Sequence, residues 1–273
     1  MAVLRMAEPG DAESMRDIYA PYITDTAVTF ETEVPTVEAF ARRMQAVSAV
    51  YPWLAAEENG EVVGYAYAHR AAERAAYDWD AELSVYVRQD CRRKGVGRQL
   101  CTALLALLRI QGVQTVYSLI ALPNAASEAL HACLGFRRLA VHRRTGYKLG
   151  QWRDVQWMEL ALGERQDPPG ALIPQTALSA DAVARALAET SAAPPRPLPQ
   201  PIRVGARYRH FKGREYRVLA LATDSETGEA VVVYQALYGE GGVWTRPAAM
   251  FAESVYRAGS WQPRFALAEE PET

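Results

Sequence analysis

Most of the chemistry-bearing residues of this chain cluster in Glu82-Leu83-Ser84-Val85-Tyr86-Val87-Arg88-Gln89-Asp90-Cys91-Arg92-Arg93-Lys94-Gly95-Val96-Gly97-Arg98. The first half has strand character, the middle is basic and glycine-containing, and the end opens a helix. Glycines let backbone N–H groups approach a ligand, a helix N-terminus carries roughly half a positive charge, and Arg92, Arg93, Lys94 and Arg98 add to it. That combination suits an anion such as a pyrophosphate. The same composition also describes an ordinary charged loop, so the motif alone leaves both readings open. On a strand of period two, Glu82, Ser84 and Tyr86 share one face and Leu83, Val85 and Val87 the other. Glu82 reads either as a proton acceptor or as an exposed strand residue paired with an arginine. His131, an imidazole able to take or give a proton near neutral pH, reads equally as a packing or capping histidine.

Apolar runs with strand character alternate with helix-period stretches up to about residue 162, the pattern of an α/β or α+β domain. Strands are expected at Val3 to Met6, Trp53 to Glu57, Val62 to Ala68, Ala81 to Val87, Thr115 to Ala121, Phe136 to His142 and Asp154 to Leu160. Asn59-Gly60 marks a two-residue hairpin, because both turn positions need positive φ. A helix starts at Pro9-Gly10-Asp11, with Met15, Ile18 and Tyr19 as its apolar positions. Thr36 caps another from Val37 to about Val47. Two more are expected over Gly97 to Ile110, with Leu100, Leu104 and Leu107 on one face, and over Ala125 to Leu134.

The chain has 273 residues, enough for two modest domains at roughly 150 residues each. Hydrophobic residues make up 49% and charged residues 23%, which excludes wholesale disorder and a fibrous repeat. With 30 basic against 32 acidic residues the net charge is −2, so no global field holds DNA or an anionic membrane. No apolar run approaches the roughly 20 residues of a membrane helix and Met1 to Asp11 lacks a signal-peptide pattern, so the protein is expected to be cytoplasmic. Cys91, Cys101 and Cys133 lack metal-ligand spacing and read as small hydrophobes; no metal is expected. Half of the 16 prolines fall between Pro168 and Pro201, so residues 163–201 are expected to be a Pro/Ala-rich linker. A short helix near Ser179 to Glu189 is possible within it, either docked or loosely ordered.

Arg92-x-x-Gly95-x-Gly97 resembles the acetyl-coenzyme A pyrophosphate loop of the GNAT superfamily of N-acetyltransferases, and Leu122-Pro123-Asn124 through Ser127, His131 and Gly135-Phe136 resembles its second cofactor segment. Tyr51-Pro52-Trp53-Leu54, Arg74-Ala75-Ala76-Tyr77-Asp78-Trp79 and Gly146-Tyr147-Lys148-x-Gly150-x-Trp152-x-Asp154-Val155 sharpen the likeness to the phosphinothricin acetyltransferase-like branch. The resemblance covers residues 1–162 and implies a GNAT fold, a mixed and mostly antiparallel sheet flanked by helices. It implies acetyl-CoA as cosubstrate, with the backbone of Val85, Tyr86 and Val87 on pantetheine. Arg92, Arg93, Lys94, Gly95, Val96, Gly97 and Arg98 then meet the pyrophosphate, with Asn124 and Ser127 nearby. It also implies a small-molecule amine as acceptor and a homodimer.

A neutral amine is the nucleophile, and an α-amine with pKa of about 8 is only about one-tenth neutral at pH 7, so a base matters. The resemblance assigns that role to Glu82, in an otherwise largely apolar cleft, and offers His131 as acid for the leaving thiolate. It points to Phe30, Arg74, Tyr77 and Tyr147 for the acceptor pocket, and less directly to Lys148. An arginine suits a carboxylate through two charge-assisted hydrogen bonds.

Tyr208-Arg209-His210-Phe211-Lys212-Gly213-Arg214-Glu215-Tyr216, Val232-Val233-Tyr234-Gln235-Ala236-Leu237-Tyr238-Gly239 and Trp244-Thr245-Arg246-Pro247 together resemble a small bacterial family of unknown function, so residues 202–260 are expected to form a small β-rich domain, with 261–273 as a tail. Strands are expected at Tyr216 to Ala222, Ala230 to Leu237 and Val243 to Arg246, with a hairpin at Ser225-Glu226-Thr227-Gly228. From Arg203 to Arg217 basic residues interleave with Tyr208, Phe211 and Tyr216, either a nucleic-acid patch or, more simply, a solvated strand face over a small core. The expected activity is acetylation of the α-amine of a small amino acid or analogue such as phosphinothricin, methionine sulfoximine or methionine sulfone. The alternative is an acetyl-CoA-binding or macromolecule-acetylating protein targeted by the C-terminal module.

Overall fold

Thr36 and the glycines at 60, 95 and 112 punctuate the first unit of the chain much as their residue types require. The computed structural model describes residues 2–163, 167–192, 201–225, 228–257 and 260–269. The first unit spans Met1–Ala192. It contains β1 (Val3–Met6), α1 (Ala12–Thr24), α2 (Val37–Ser48), β2 (Trp53–Glu58), β3 (Glu61–Arg70), β4 (Asp80–Val87), α3 (Val96–Gln111), β5 (Thr115–Ala121), α4 (Ala125–Cys133), β6 (Arg137–Lys148), β7 (Gln151–Ala161) and α5 (Ala180–Ala192). The Thr36 hydroxyl accepts the Ala39 N–H at 3.2 Å and so caps α2. Asn59 and Gly60, at φ 55° and 81°, form the β2–β3 turn with both residues left-handed.

The seven strands lie in the order β1-β2-β3-β4-β5-β7-β6. Every neighbouring pair is antiparallel except β4 and β5, which run parallel. One face packs on α3, whose Leu100, Leu104 and Leu107 are fully buried with Leu54, Ala66 and Leu83. Each such leucine contributes roughly 1.5–3 kcal/mol of burial. The other face carries α1 and α2, where Met15, Ile18 and Phe40 meet Trp53 and Tyr65.

The Pro/Ala-rich stretch departs from an extended linker. Residues 167–192 lie along the first unit. The Trp79 indole donates to the Gly170 carbonyl at 2.6 Å, and the Gln111 amide donates to the carbonyls of Val50 (2.7 Å) and Ile173 (2.8 Å). Helix α5 then packs on the α3 side, with Ala186 buried and Leu178, Val183 and Leu187 against the same core. Prolines at 168, 169 and 174 suit an extended strap, which asks for few backbone donors. Their composition does not reveal that a buried glutamine waits for it. Residues 193–200 lie outside the described residues.

The second unit, Ala193–Thr273, contains β8 (Arg207–His210), β9 (Glu215–Thr223), β10 (Ala230–Ala236), β11 (Val243–Pro247), α6 (Ala248–Ala252), β12 (Ser254–Arg257), β13 (Ser260–Pro263) and β14 (Phe265–Glu269). An antiparallel sheet of order β11-β10-β9-β8-β14 stands beside the β12–β13 pair. Glu226 and Thr227 of the expected hairpin lie outside the described residues. The segment expected as a tail is corrected: β14 pairs with β8, and Phe265 stacks on Phe251 at 4.1 Å in the core. The five-residue strand was hidden because its alternation is too short to read.

Candidate active site

Strand β4 keeps its β3 partner from Ala81, opposite Arg70, to Val87, opposite Gly64. Its pairing with β5 stops after Asp80–Thr115, Ala81–Val116 and Glu82–Tyr117. Beyond that point β5 stays with β7, up to Ala121 opposite Val155, so β4 and β5 fork. Glu82 stands at the apex. Leu83, Val85 and Val87 side toward α3, while the Tyr86 ring meets Tyr19 at 4.7 Å and Tyr22 at 5.1 Å on the α1 face, as the period-two alternation requires.

The Arg88 N–H bonds the Val63 carbonyl at 2.9 Å, so by alternation the polar backbone of Tyr86 turns to β3 and that of Val85 and Val87 turns into the fork. Sequence reasoning missed the residue that meets it there. The Tyr22 hydroxyl donates to the Val87 carbonyl at 2.6 Å and accepts the Val87 N–H at 3.2 Å, and its ring lies under the Arg92 guanidinium at 4.8 Å. Its place on the apolar face of α1 disguises Tyr22 as an ordinary core residue.

The loop after β4 separates its cations by function. Arg88 is paired with Glu61 and Asp90, both at 2.8 Å. Arg92, Arg93 and Lys94 are exposed, and among the described residues neither they nor Arg98 form an ion pair. Gly95 has φ +87° and opens α3; a β-carbon there would find no atom within 4 Å. Gly97 lies close to β4, its β-carbon position 3.5 Å from Val87.

Glu82 is flanked by His69 on β3 and Tyr117 on β5, each its register partner. His69 Nε2 is 3.8 Å from Glu82 Oε1, and the Nδ1–H donates to the Arg70 carbonyl at 3.0 Å. Burial pushes the Glu82 carboxyl above the ordinary carboxylate range, and His69 pulls the other way. His131 is 2% exposed. Its Nδ1–H donates to the Ser127 carbonyl at 2.8 Å, and Nε2 has no hydrogen-bond partner among the described residues. Burial lowers its pKa, so the ring is neutral at pH 7 with an available lone pair on Nε2. Asn124 caps α4 by accepting the Ser127 N–H at 3.2 Å, which orients the turn that holds His131.

Phe30 and Tyr147 are brought to one strand. Phe30 lies on Gly146, where a β-carbon would come within 2.2 Å of the ring, and Lys148 donates to the Thr29 carbonyl at 2.7 Å. Tyr147 stands exposed with its ring 5.4 Å from Trp152. Arg74 and Tyr77 sit on the β3–β4 connection, joined by the Tyr77 N–H to the Arg74 carbonyl at 2.9 Å. Among the described residues they form no hydrogen bond or ring contact with Phe30 or Tyr147. Cys91 and Cys101 are buried while Cys133 is half-buried, and no metal-binding group is found among the described residues.

Comparison with known proteins bears on the same segments. Residues 206–267 match a family described as a protein of unknown function, DUF1653. Over 173 residues the chain is 38% identical to the phosphinothricin N-acetyltransferase of Streptomyces viridochromogenes, spanning 63% of this chain and 94% of that one. Over 166 residues it is 33% identical to the L-methionine sulfoximine/L-methionine sulfone acetyltransferase of Salmonella typhimurium, spanning 60% and 97%. A GNAT phosphinothricin acetyltransferase from Sinorhizobium meliloti, solved in complex with acetyl-CoA, superposes with a TM-score of 0.61 at 32% identity, over 64% of this chain and 97% of that one. The acetyltransferase (GNAT) domain family itself matches residues 4–157, more than half of the chain and the whole of the forked sheet up to β7, so the protein belongs to the GNAT family of N-acetyltransferases.

Proposed function

We propose that this enzyme moves the acetyl group of acetyl-CoA to the α-amine of a small amino acid or analogue, of the phosphinothricin, methionine sulfoximine or methionine sulfone type. The observation that carries this reading is the half-buried carboxylate of Glu82 at the apex of the β4–β5 fork. Support comes from the relatives' activities and from the acetyl-CoA bound to the Sinorhizobium meliloti protein. The residues here fit that cosubstrate: open space in front of Gly95, cations without carboxylate partners among the described residues, and fork-facing backbone at Val85, with the Val87 backbone held by Tyr22. Arg92 to Arg98 would hold the pyrophosphate and the fork the pantetheine arm, with Asn124 and Ser127 shaping the far wall. When bound, acetyl-CoA supplies an activated acetyl thioester.

Glu82 takes the proton of the incoming ammonium and leaves a neutral amine to attack. A carboxyl raised above its ordinary range is a better matched base near neutral pH than an exposed glutamate, and a positioned base contributes roughly 10²- to 10⁴-fold. His131 enters as a neutral imidazole. Its Nδ1–H is spent on Ser127, so Nε2 accepts a hydrogen bond or proton first and can donate to a leaving thiolate only after taking one. Arg74 meets the acceptor's carboxylate and Phe30, Tyr77 and Tyr147 wall its side chain. A homodimer through the long edge strand β6, with Leu139 and Val141 exposed, completes that wall; covering such an edge is a general need of open sheets.

Relatives named for amino acids or their analogues favour the small-molecule reading over the macromolecule-acetylating alternative. Among the described residues no helix is long and apolar enough to cross a membrane. A thiol-release assay over amino acids, their sulfone and sulfoximine analogues, and peptide N-termini tests the proposal. Release with the free amino acid analogues is expected; release with peptides alone would overturn it.

A further inference from the structure

His69 is not used by the mechanism above, yet it faces Glu82 across the β3–β4 ladder as its register partner. Both nitrogens of its ring meet acceptors. Nδ1 lies 3.0 Å from the Arg70 carbonyl oxygen, and Nε2 lies 3.8 Å from a carboxylate oxygen of Glu82, within ion-pair reach though longer than a hydrogen bond. A neutral imidazole has one N–H and one lone pair, so it would turn a lone pair toward one of these oxygens. Only the imidazolium presents N–H to both.

We propose that His69 is a positioning residue for Glu82: its ring, anchored through Nδ1–H on the Arg70 carbonyl, stands beside the carboxylate and, when protonated, holds it as the anion aimed along the fork. This rests on Glu82 being the base. The two effects on Glu82 oppose each other: burial favours the neutral acid, which cannot take a proton, and a cation beside it restores the anion. Without His69 the carboxyl would hold its proton to higher pH, and the acid limb of activity would move up with it.

Other groups facing the pair do not supply this charge. Tyr67 on β3 has a phenol pushed up to about 12 by burial and stays neutral. Tyr117 on β5 is a phenol as well, and Glu159, its register partner on β7, is paired with Arg137 at 2.6 Å. Arg43 on α2 is engaged with Glu31 at 2.7 Å. Asp80, at the start of β4, would only oppose ionisation.

The test uses the full-length protein with His69→Leu, His69→Gln and His69→Lys, at a position exposed enough to tolerate all three. Two readouts are taken: the acid limb of kcat/KM against pH with an amino acid sulfone, and the ¹³C-detected titration of the Glu82 carboxyl without cofactor. Both neutral variants are expected to move limb and titration upward by about half to one pH unit, a three- to tenfold loss on the acid side, and His69→Lys to restore them. Limb and titration unmoved in both neutral variants, or displaced equally by His69→Lys, would overturn the proposal. If instead Glu82→Gln leaves turnover intact, the assignment of the base falls, while the carboxyl titration still reports on the pair.

Discussion

In the loop from Arg92 to Arg98 the cations have no carboxylate partner among the described residues, and a left-handed glycine precedes a sixteen-residue helix. Between Arg203 and Arg217 a segment of similar composition is arranged the opposite way. Arg207 and Arg209 converge on Glu215 at 2.8 and 2.7 Å, Arg207 also reaches Glu269 at 2.8 Å, and Tyr208 is buried under Phe251. Those hydrogen bonds hold the Glu215 carboxyl below its ordinary range, Arg209 first. Basic and aromatic residues in sequence therefore do not identify a ligand site. What distinguishes the first segment is charge left unneutralised where backbone donors converge; in the second, the same residue types satisfy one another and close a small core.

The sharpest way to break this comparison is to remove the group the first segment serves. Glu82→Gln keeps shape and deletes the base, so kcat at neutral pH is expected to fall about 10²- to 10⁴-fold and to recover partly at alkaline pH. The wild-type acid limb should lie above the ordinary carboxylate range, because Glu82 must lose its proton to work and burial raises the pH at which it does so. A limb in the ordinary range would contradict the burial argument.

Next in size is the strap. Ending the chain at Gly163 strips Leu172, Leu178, Val183 and Leu187 from the core, at about 1 kcal/mol or more each, and should lower Tm by about 10 °C. Ending it after Ala192 should leave Tm and turnover of the first unit unchanged. Equal melting of the two truncations would show that residues 167–192 are dispensable.

Gly95 and Gly213 give a matched pair, with φ +87° and +92° and open space at both β-carbon positions. Either substitution by valine strains the backbone by about 1–3 kcal/mol. Only Gly95→Val is expected to weaken acetyl-CoA binding, about tenfold or more in calorimetry; the same loss from Gly213→Val would dissolve the contrast between the two segments. Smaller still, Gly146→Ala should raise KM for the acceptor several-fold by displacing Phe30, with acetyl-CoA affinity intact. Glu215→Gln should slightly loosen the second unit, read by its own melting transition, and leave acetyl transfer untouched.

Much of this was written in the order of residues. Alternation put Val85 and Val87 on one face of β4 and Tyr86 on the other, Asn59-Gly60 required a left-handed turn, Thr36 required a helix start, and the Arg92-x-x-Gly95-x-Gly97 loop carried both the anion chemistry and the family likeness, because each depends on residues adjacent in the chain. Pairings between distant segments were beyond its reach. That β5 leaves β4 at Glu82, that His69 rather than an arginine faces that carboxylate, that Tyr22 caps Val87, that Gly146 makes room for Phe30 and that Gln111 receives the strap all follow from register and packing. A one-residue slip of β3 against β4 would send His69 to the other face without changing a single local preference, so only the folded sheet, through the side chains it buries on both sides, decides which residue stands beside the base.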